Sequence, residues 1–322
     1  MYSTISCLPC TSSALKQCSR LFMDEFGWIE WIKKKAGKVP SGWVGIGDDA
    51  AVIPSGSARN WILSTDTIVE GIDFDRRVTP AQAGRKALAI NLSDMAAMGA
   101  IPQAFLMTLG IPSSWKRDKK LKLFLKGLFN LAKEYRVVCV GGDMTSARQF
   151  FCGITVWGEP AGKKAILRSG AQPDDLILVT GALGGSIKQK HFSFTPRVRE
   201  GQWLAQRGYP NAMMDVSDGL AQDLSHLLRA SHVSAHLNLE CVPLARHARN
   251  LTSALSDGED FELLVTVSRN KIAKLLSEWK KSFPKTPLNL IGSVHRGSSG
   301  IQYYLNGKKQ ISFQPHKGFR HF

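Results

Sequence analysis

Gly45-Ile46-Gly47-Asp48-Asp49-Ala50-Ala51-Val52-Ile53 is the stretch from which the rest of the chain can be read. Two glycines allow a tight turn where a side chain would clash. Two adjacent carboxylates follow at once, and after them an apolar run with the character of a strand. Trp61-Ile62-Leu63 again reads as a strand and delivers Ser64, Thr65, Asp66 and Thr67 at its end. Hard oxygen ligands at strand ends suit a magnesium ion that holds phosphates. A single stretch of this kind is ordinary turn chemistry, so the case for function rests on repetition.

The device repeats. Asn91-Leu92-Ser93-Asp94 lies within a helical pattern, and Val137 to Val140 is a β-rich run closed by Gly141-Gly142-Asp143. Ala212-Met213-Met214 leads into Asp215-Val216-Ser217-Asp218-Gly219, and Ser256-Asp257-Gly258-Glu259-Asp260 precedes the apolar run from Phe261. Small or apolar residues flank almost every acid, and Lys and Arg are absent from their immediate neighbourhoods. Two carboxylates about 5 Å apart repel by roughly 3 kcal/mol at an effective dielectric near 20. The acids are therefore either dispersed surface turns or a site for several metal ions, and their near-identical packaging favours metal.

The segments between these motifs predict an α+β/α-β chain of two domains. Thr79-Pro80 is a helix start, an N-cap followed by proline at the first helical position. Leu88, Leu92, Met95 and Gly99 fall on one helical face, with Asn91 and Asp94 off that stripe. Residues 73–78 read as a continuation of the strand before them, and Phe105–Leu109 and Phe151–Trp157 as strands. Ser114–Tyr135 reads as one amphipathic helix with Leu121, Phe124, Leu125, Leu128 and Ala132 inward and lysines in solvent. Pro160, Gly162 and two lysines place a boundary near Glu159–Lys164, dividing an N-terminal β-sheet domain with flanking helices, 23–160, from a C-terminal α/β layered domain, 161–322. In the second half Asp175–Thr180, Phe261–Val267 and Leu288–Val294 are expected strands. Leu220, Leu224, Leu227 and Leu228 mark a helix after Asp218, and Asn270–Trp279 another. Gly181 to Ser186, followed by Lys188, fails the spacing of a P-loop but can form a backbone nest for an anion.

Composition bounds the remaining classes. The 322 residues are 43% hydrophobic, enough for two ordinary domains, and no apolar run approaches the roughly 20 residues of a membrane helix. Forty-two Lys and Arg against 26 acids give +16, but the basic residues are scattered and accompany no nucleic-acid-binding motif, so neither nucleic acid nor membrane is an expected partner. Cys7 and Cys10 have zinc or redox spacing without a second pair or a nearby histidine. A reduced, cytoplasmic chain is the simpler expectation, with residues 1–22 a disordered tail.

GIGDDAAVI, LSTDTIVEG, KALAINLSDMAAMGA, VVCVGGD, MMDVSDGLAQDL, LSDGEDFELL and the terminal KGFRHF, in this order, closely resemble the thiamine-monophosphate kinases. These belong to the superfamily of aminoimidazole-ribonucleotide synthetase, selenophosphate synthetase and a hydrogenase maturation factor. The resemblance implies transfer of the γ-phosphoryl group of ATP to thiamine monophosphate with several Mg2+ ions, and a homodimer that closes a β-barrel across its interface. It implies Asp49, Ser64, Thr65, Asp66, Asp94, Asp143, Asp215 and Asp218 as metal ligands. Gly142, Asp143, Arg168 and Ser217 would meet the nucleotide, and Asp73, Glu259 and Phe319 the thiamine phosphate. No general base is expected, because the acceptor is already an anionic phosphate oxygen. Two positions depart from the pattern: Asp73 stands where many relatives carry His, and Gly185 where the related motif carries Asp, before a shortened segment at 186–194. Another ATP-dependent activity of the superfamily, or a non-catalytic binder of nucleotide or thiamine phosphate, are the competing readings.

Overall fold

The computed structural model describes residues 24–56, 59–116, 119–186 and 190–310. The expected tail at 1–22, Lys188 and Phe319 lie outside the described residues. The helix α1 (Glu25–Ala36) is capped by Asp24, whose side chain accepts from the Gly27 N–H. It belongs to a compact unit separate from Pro40–Phe319, which holds everything that follows.

Two sheets organise this larger unit. The first, among the described residues, has the order β1-β2-β5-β3-β4: β1 (Ala51–Ile53), β2 (Trp61–Val69), β3 (Ala100–Ile111), β4 (Val138–Ser146) and β5 (Phe151–Pro160). All neighbours are antiparallel except β3 and β4, which run parallel and leave β4 as an edge. Strict alternation along β5 buries Cys152, Ile154 and Val156 on one face, as a one-sided sheet requires.

That face is covered by α2 (Pro80–Ala97). Its start is a full capping box, Thr79 accepting from Gln82 N–H and the Gln82 side chain from the Thr79 N–H, with proline in the first turn. The single stripe expected of this helix is an understatement: 13 of its residues are buried, because it lies between the sheet and α4 (Lys120–Tyr135). Close approach of the two helices depends on glycine. A Cβ on Gly84 would stand 1.9 Å from the Phe124 carbonyl oxygen, and one on Gly127 1.9 Å from that of Ala81. The long helix expected from Ser114 is two helices, α3 (Ser113–Lys116) and α4. Residues 73–78 are turns instead of strand. The chain reverses at Gly71, and the Asp73 carboxylate accepts from the Val69 N–H at 2.7 Å, closing the turn.

The second sheet has the order β12-β11-β8-β10-β6-β9-β7: β6 (Leu176–Thr180), β7 (Pro210–Asp215), β8 (Ser234–Asn238), β9 (Leu263–Val267), β10 (Leu288–His295), β11 (Ile301–Leu305) and β12 (Lys308–Lys309). β6 and β9 are buried at every position, so both faces are covered. The helices of this half are α5 (Val198–Arg207), α6 (Leu220–Ser231), α7 (Leu251–Ser256) and α8 (Ile272–Ser282). β9 starts two residues later than expected, because Phe261 takes a left-handed backbone, φ 51°. One apolar core runs from the first sheet through α2 into β6, β7 and β9. The consequence is that the C-terminal end of β7 lies beside α2, where the acids meet.

Candidate active site

Three elements and one loop bring the acids together. The loop ahead of β1 supplies Asp48 and Asp49. The core-facing side of β2 supplies Ser64, buried there with Ile62 and Ile68, and Asp66. α2 supplies Asn91, Ser93 and Asp94, and the last residue of β7 is Asp215. Oxygens of Asp49, Asp94 and Asp215 all lie within 4.8 Å of one another. Asp66 is close enough for its charge to act on both Asp94 and Asp215.

Hydroxyls and an amide fix this arrangement. Ser64 Oγ donates to Asp94 Oδ2, Ser93 Oγ donates to Asp215 Oδ2 at 2.5 Å, and Asn91 Oδ1 accepts from the Asp66 N–H at 3.2 Å. Even so, the site is electrostatically unfavourable by itself. Burial, then the charges of Asp66, Asp215 and Asp49, push the Asp94 carboxyl well above its ordinary range. Burial and Asp49 push Asp215 to about 7, and burial with Asp49 pushes Asp48 to about 6. A cation in contact with the cluster is Arg168, whose Nη2 donates to Asp49 Oδ1 at 2.7 Å. Asp49 Oδ2 and Arg168 Nε are buried with no hydrogen-bond partner among the described residues. An all-oxygen donor set, raised carboxyls and an orphaned buried carboxylate oxygen fit a hard divalent cation. Octahedral ligands at about 2.1 Å stand roughly 3 to 4 Å apart, a spacing that these three carboxylates reach with small side-chain movements.

Other expected ligands stand further off. Thr65 points to the opposite, open face of β2, where its hydroxyl meets Ile154 O at 3.1 Å and Thr155 Oγ1 at 3.0 Å. Asp66, Ile154, Met107 and Gly142 form one row across the sheet. Three strand spacings of about 4.8 Å therefore separate Gly142 and Asp143 from Asp66, about 14 Å. Asp143 is exposed on the edge strand and is not part of the three-carboxylate cluster.

Ser217 and Asp218 lie in the turn between β7 and α6. Asp218 Oδ2 accepts from Gln222 Nε2 at 3.0 Å. The N–H groups at the start of α6 are met by the buried Asp223, whose Oδ2 accepts from those of Asp218 and Gly219 at 3.1 and 3.0 Å. The nest expected at Gly181 to Ser186 is taken by the chain's own carboxylates. Gly184 N–H donates to Asp260 at 2.8 Å, and Gly185 N–H to Asp257 at 2.9 Å. Gly185 has φ 72°, and a Cβ there would stand 2.4 Å from the His247 backbone, so this packing leaves no room for Asp.

Glu259 and Asp73, two of the expected acceptor residues, are joined by a residue the sequence reading passed over. Lys86 of α2 has a side chain 2% exposed. Its Nζ donates to Glu259 Oε1 at 2.5 Å and stands 3.4 Å from the Asp73 carbonyl oxygen. His191 Nδ1 lies 2.5 Å from Glu259 Oε2. Burial pushes the Glu259 carboxyl up, but the His191 hydrogen bond and the Lys86 charge outweigh it and hold it below the usual range. A lysine amid the apolar residues of a buried helix was the available signal for Lys86. His191 had none, since it sits in a short segment without a pattern.

Residues 47–159 match the family described as AIR synthase related protein, N-terminal domain. Among characterised sequences, the chain is similar to the thiamine-monophosphate kinase of Buchnera aphidicola subsp. Schizaphis graminum, 36% identical over 310 residues that cover 86% of this chain and 92% of that protein. The thiamine-monophosphate kinase of Bacillus subtilis is 34% identical over 329 residues, covering 93% and 100%. Among solved structures, AaThiL complexed with AMPPCP and TMP is similar with a TM-score of 0.77 at 28% identity, covering 93% of this chain and 97% of that one. Hydrogenase maturation protein HypE in complex with ATP shares the fold, with a TM-score of 0.64 at 19% identity over 80% of this chain and 86% of that one.

Proposed function

The chain belongs to the thiamine-monophosphate kinase family, and on that premise we propose that it transfers the γ-phosphoryl group of ATP to thiamine monophosphate, giving thiamine diphosphate and ADP. The observation that carries the proposal is the meeting of Asp49, Asp94 and Asp215, one of which, Asp49, has a buried carboxylate oxygen without a hydrogen-bond partner among the described residues. Mg2+ bound there supplies charge neutralisation and alignment of the phosphates.

The chain's own residues hold and orient. Asp49, Asp66, Asp94 and Asp215 are assigned to the metal ions, with Ser64 steadying Asp94 through its hydroxyl. Thr65, on the opposite face of β2, Asp143, three strands away, and Asp218 lie outside the three-carboxylate cluster, and they are assigned to ions further along the polyphosphate. Arg168, with a buried unpaired Nε, turns its guanidinium to nucleotide phosphate, and Ser217 and the backbone at Gly142 and Asp143 complete the nucleotide site. Glu259, the turn at Asp73, and Phe319 form the acceptor end. The acceptor oxygen is already ionised, so no residue need abstract a proton, and position and field account for the rate.

The same reading divides the chain into domains 23–160 and 161–322, places it in the cytoplasm, and joins two copies into a homodimer with a barrel across the interface. Support for the dimer comes from the first sheet: β4 is an edge, and Leu106, Val138, Val140 and Met144 are between 48% and 63% exposed. Such an apolar edge is a surface a lone chain would have to protect. Among the described residues no helix is long and apolar enough to cross a membrane.

The test is incubation of the purified protein with ATP, Mg2+ and thiamine monophosphate, followed by chromatography. Thiamine diphosphate should accumulate with ADP in equal amounts. Binding of both substrates without product, or turnover only with another acceptor, contradicts the proposal.

A further inference from the structure

Lys86, His191 and Glu259 come from three separate parts of the chain and meet in one nearly water-free contact. We propose that Lys86 and His191 are positioning residues that fix Glu259 as an ionised hydrogen-bond acceptor for the ring end of the phosphate-bearing acceptor, and so set acceptor affinity. The inference rests on the assignment of Glu259 to the acceptor under the proposed function.

Backbone strain is the first argument. Gly258, Glu259 and Phe261 have φ values of 71°, 54° and 51°, and a left-handed conformation is unfavourable for a residue with a Cβ. The segment is held there from several sides. Glu259 N–H donates to Ser217 O at 2.6 Å, Phe261 N–H to Val216 O at 2.8 Å, and Asp260 accepts from Gly184 N–H at 2.8 Å. The Glu259 side chain is thus aimed by a conformation the chain would otherwise avoid.

The second argument is charge. An ammonium group as buried as that of Lys86 is costly unless paired and hydrogen-bonded. It is paired with Glu259 at 2.5 Å, donates to the Asp73 carbonyl oxygen at 3.4 Å and stands 5.2 Å from the Phe192 ring centroid. His191 is itself anchored, because the neighbouring Lys190 donates to Glu262 Oε1 at 3.1 Å and to Ala182 O at 3.0 Å. Two lone-pair sites of the Glu259 carboxylate are thereby used, and its charge is balanced. What it can offer a ligand is acceptor capacity for N–H donors, in preference to bare attraction for a cation.

The third argument is distance. Lys86 and Asp94 lie on the same helix eight residues apart, about 12 Å along its axis at 1.5 Å per residue. One rigid element therefore sets the spacing between the carboxylate cluster and the clamp. A molecule with a phosphate at one end and an N–H-bearing ring at the other spans that order of length.

Steady-state kinetics of Lys86→Met, Lys86→Arg, His191→Phe and His191→Asn test the proposal. The Asn amide places an N–H donor near the position of Nδ1. Lys86→Met and His191→Phe should raise the KM for thiamine monophosphate about 10-fold or more and leave the KM for ATP within about two-fold, with His191→Asn returning close to wild type. An unchanged acceptor KM in folded Lys86→Met or His191→Phe, or an equal rise in both KM values, overturns it. Lys86→Arg covers the case in which Lys86→Met does not fold: it should keep the charge but misplace it, raising the acceptor KM alone. A ligand-free readout separates this inference from the proposed function. A downfield imidazole N–H proton signal from His191 should appear in the wild-type NMR spectrum, vanish in Glu259→Gln and shift in Lys86→Met. If wild type makes no thiamine diphosphate, the functional reading fails, and the presence or absence of that signal decides whether the clamp exists.

Discussion

Asp94 sits where burial and three neighbouring carboxylates act on one group, so its contributions to stability and to activity should oppose each other. Asp94→Asn removes a charge that the metal-free protein holds unfavourably, keeps the shape, and preserves an acceptor for Ser64. Without divalent cations the variant should melt higher than wild type, while kcat/KM with saturating Mg2+ falls more than about 100-fold, roughly 2.7 kcal/mol of transition-state stabilisation. Equal rates would remove Asp94 from the site. Asp215 makes a matching pH prediction. Its carboxyl lies at about 7 in the folded chain against an ordinary 3.8, so the native state binds the proton more tightly than the unfolded one. That stabilising contribution is complete below about pH 3.8 and is lost as pH rises to about 7. In EDTA, raising the pH from 6 to 8 should lower the melting temperature of wild type more than that of Asp215→Asn, and Mg2+ should reverse the loss; equal pH dependence in both proteins contradicts the assignment. These acids were legible one by one because each arrives at a strand end or on a helix beside small residues. The Lys86–Glu259 and Lys86–His191 contacts were not, since they join residues 173 and 105 positions apart and no local pattern records them.

Among elements, α2 carries most of the design. It packs on the first sheet, meets α4 through Gly84 and Gly127, and holds Asn91, Ser93, Asp94 and Lys86 in fixed register. Gly84→Ala would drive a Cβ to 1.9 Å from a backbone oxygen. A backbone clash cannot be relieved by a rotamer change, so the variant should lose about 3 kcal/mol of stability in denaturant titration; a loss below about 0.5 kcal/mol would show that the helices do not approach this closely. The start of α2 could be read from Thr79-Pro80, because capping is local. Its near-complete burial could not be read from the Leu88, Leu92 and Met95 stripe, since an alanine beside that stripe is compatible with either an exposed or a buried helix face. The turn at Asp73 reads as strand in the sequence, because what closes it is a carboxylate reaching back to Val69 and the residues around it carry no sign of this. The nest at Gly184 and Gly185 was correctly seen as an anion cradle, but its anions are Asp260 and Asp257.

At the scale of the whole molecule, two sheets share one core, and the acids lie where β2, α2 and the end of β7 meet. The mixed α/β class and the elements that flank the acids followed from hydrophobic periodicity and punctuation, whereas α5, β8, α7, β11 and β12 were not expected. Strand order and pairing did not follow, because a sequence with one chain's worth of periodicity fixes neither neighbour nor direction. The exposed apolar edge at β4 bears on quaternary structure. Val140→Asp should convert a dimer to monomer in sedimentation velocity at micromolar concentration; a monomeric wild type, or a dimeric variant, would place the interface elsewhere. Because Asp143 follows on the same strand, loss of the dimer should also lower activity.

Binding of Mn2+, followed by the loss of its free electron-paramagnetic signal in the presence of AMPPCP, tests the central claim most directly. Wild-type protein should bind the ion, and folded Asp49→Asn and Asp215→Asn should each weaken that binding at least about 10-fold. Binding by both variants indistinguishable from wild type would contradict the account, because those carboxylates would then meet for some purpose other than holding a metal.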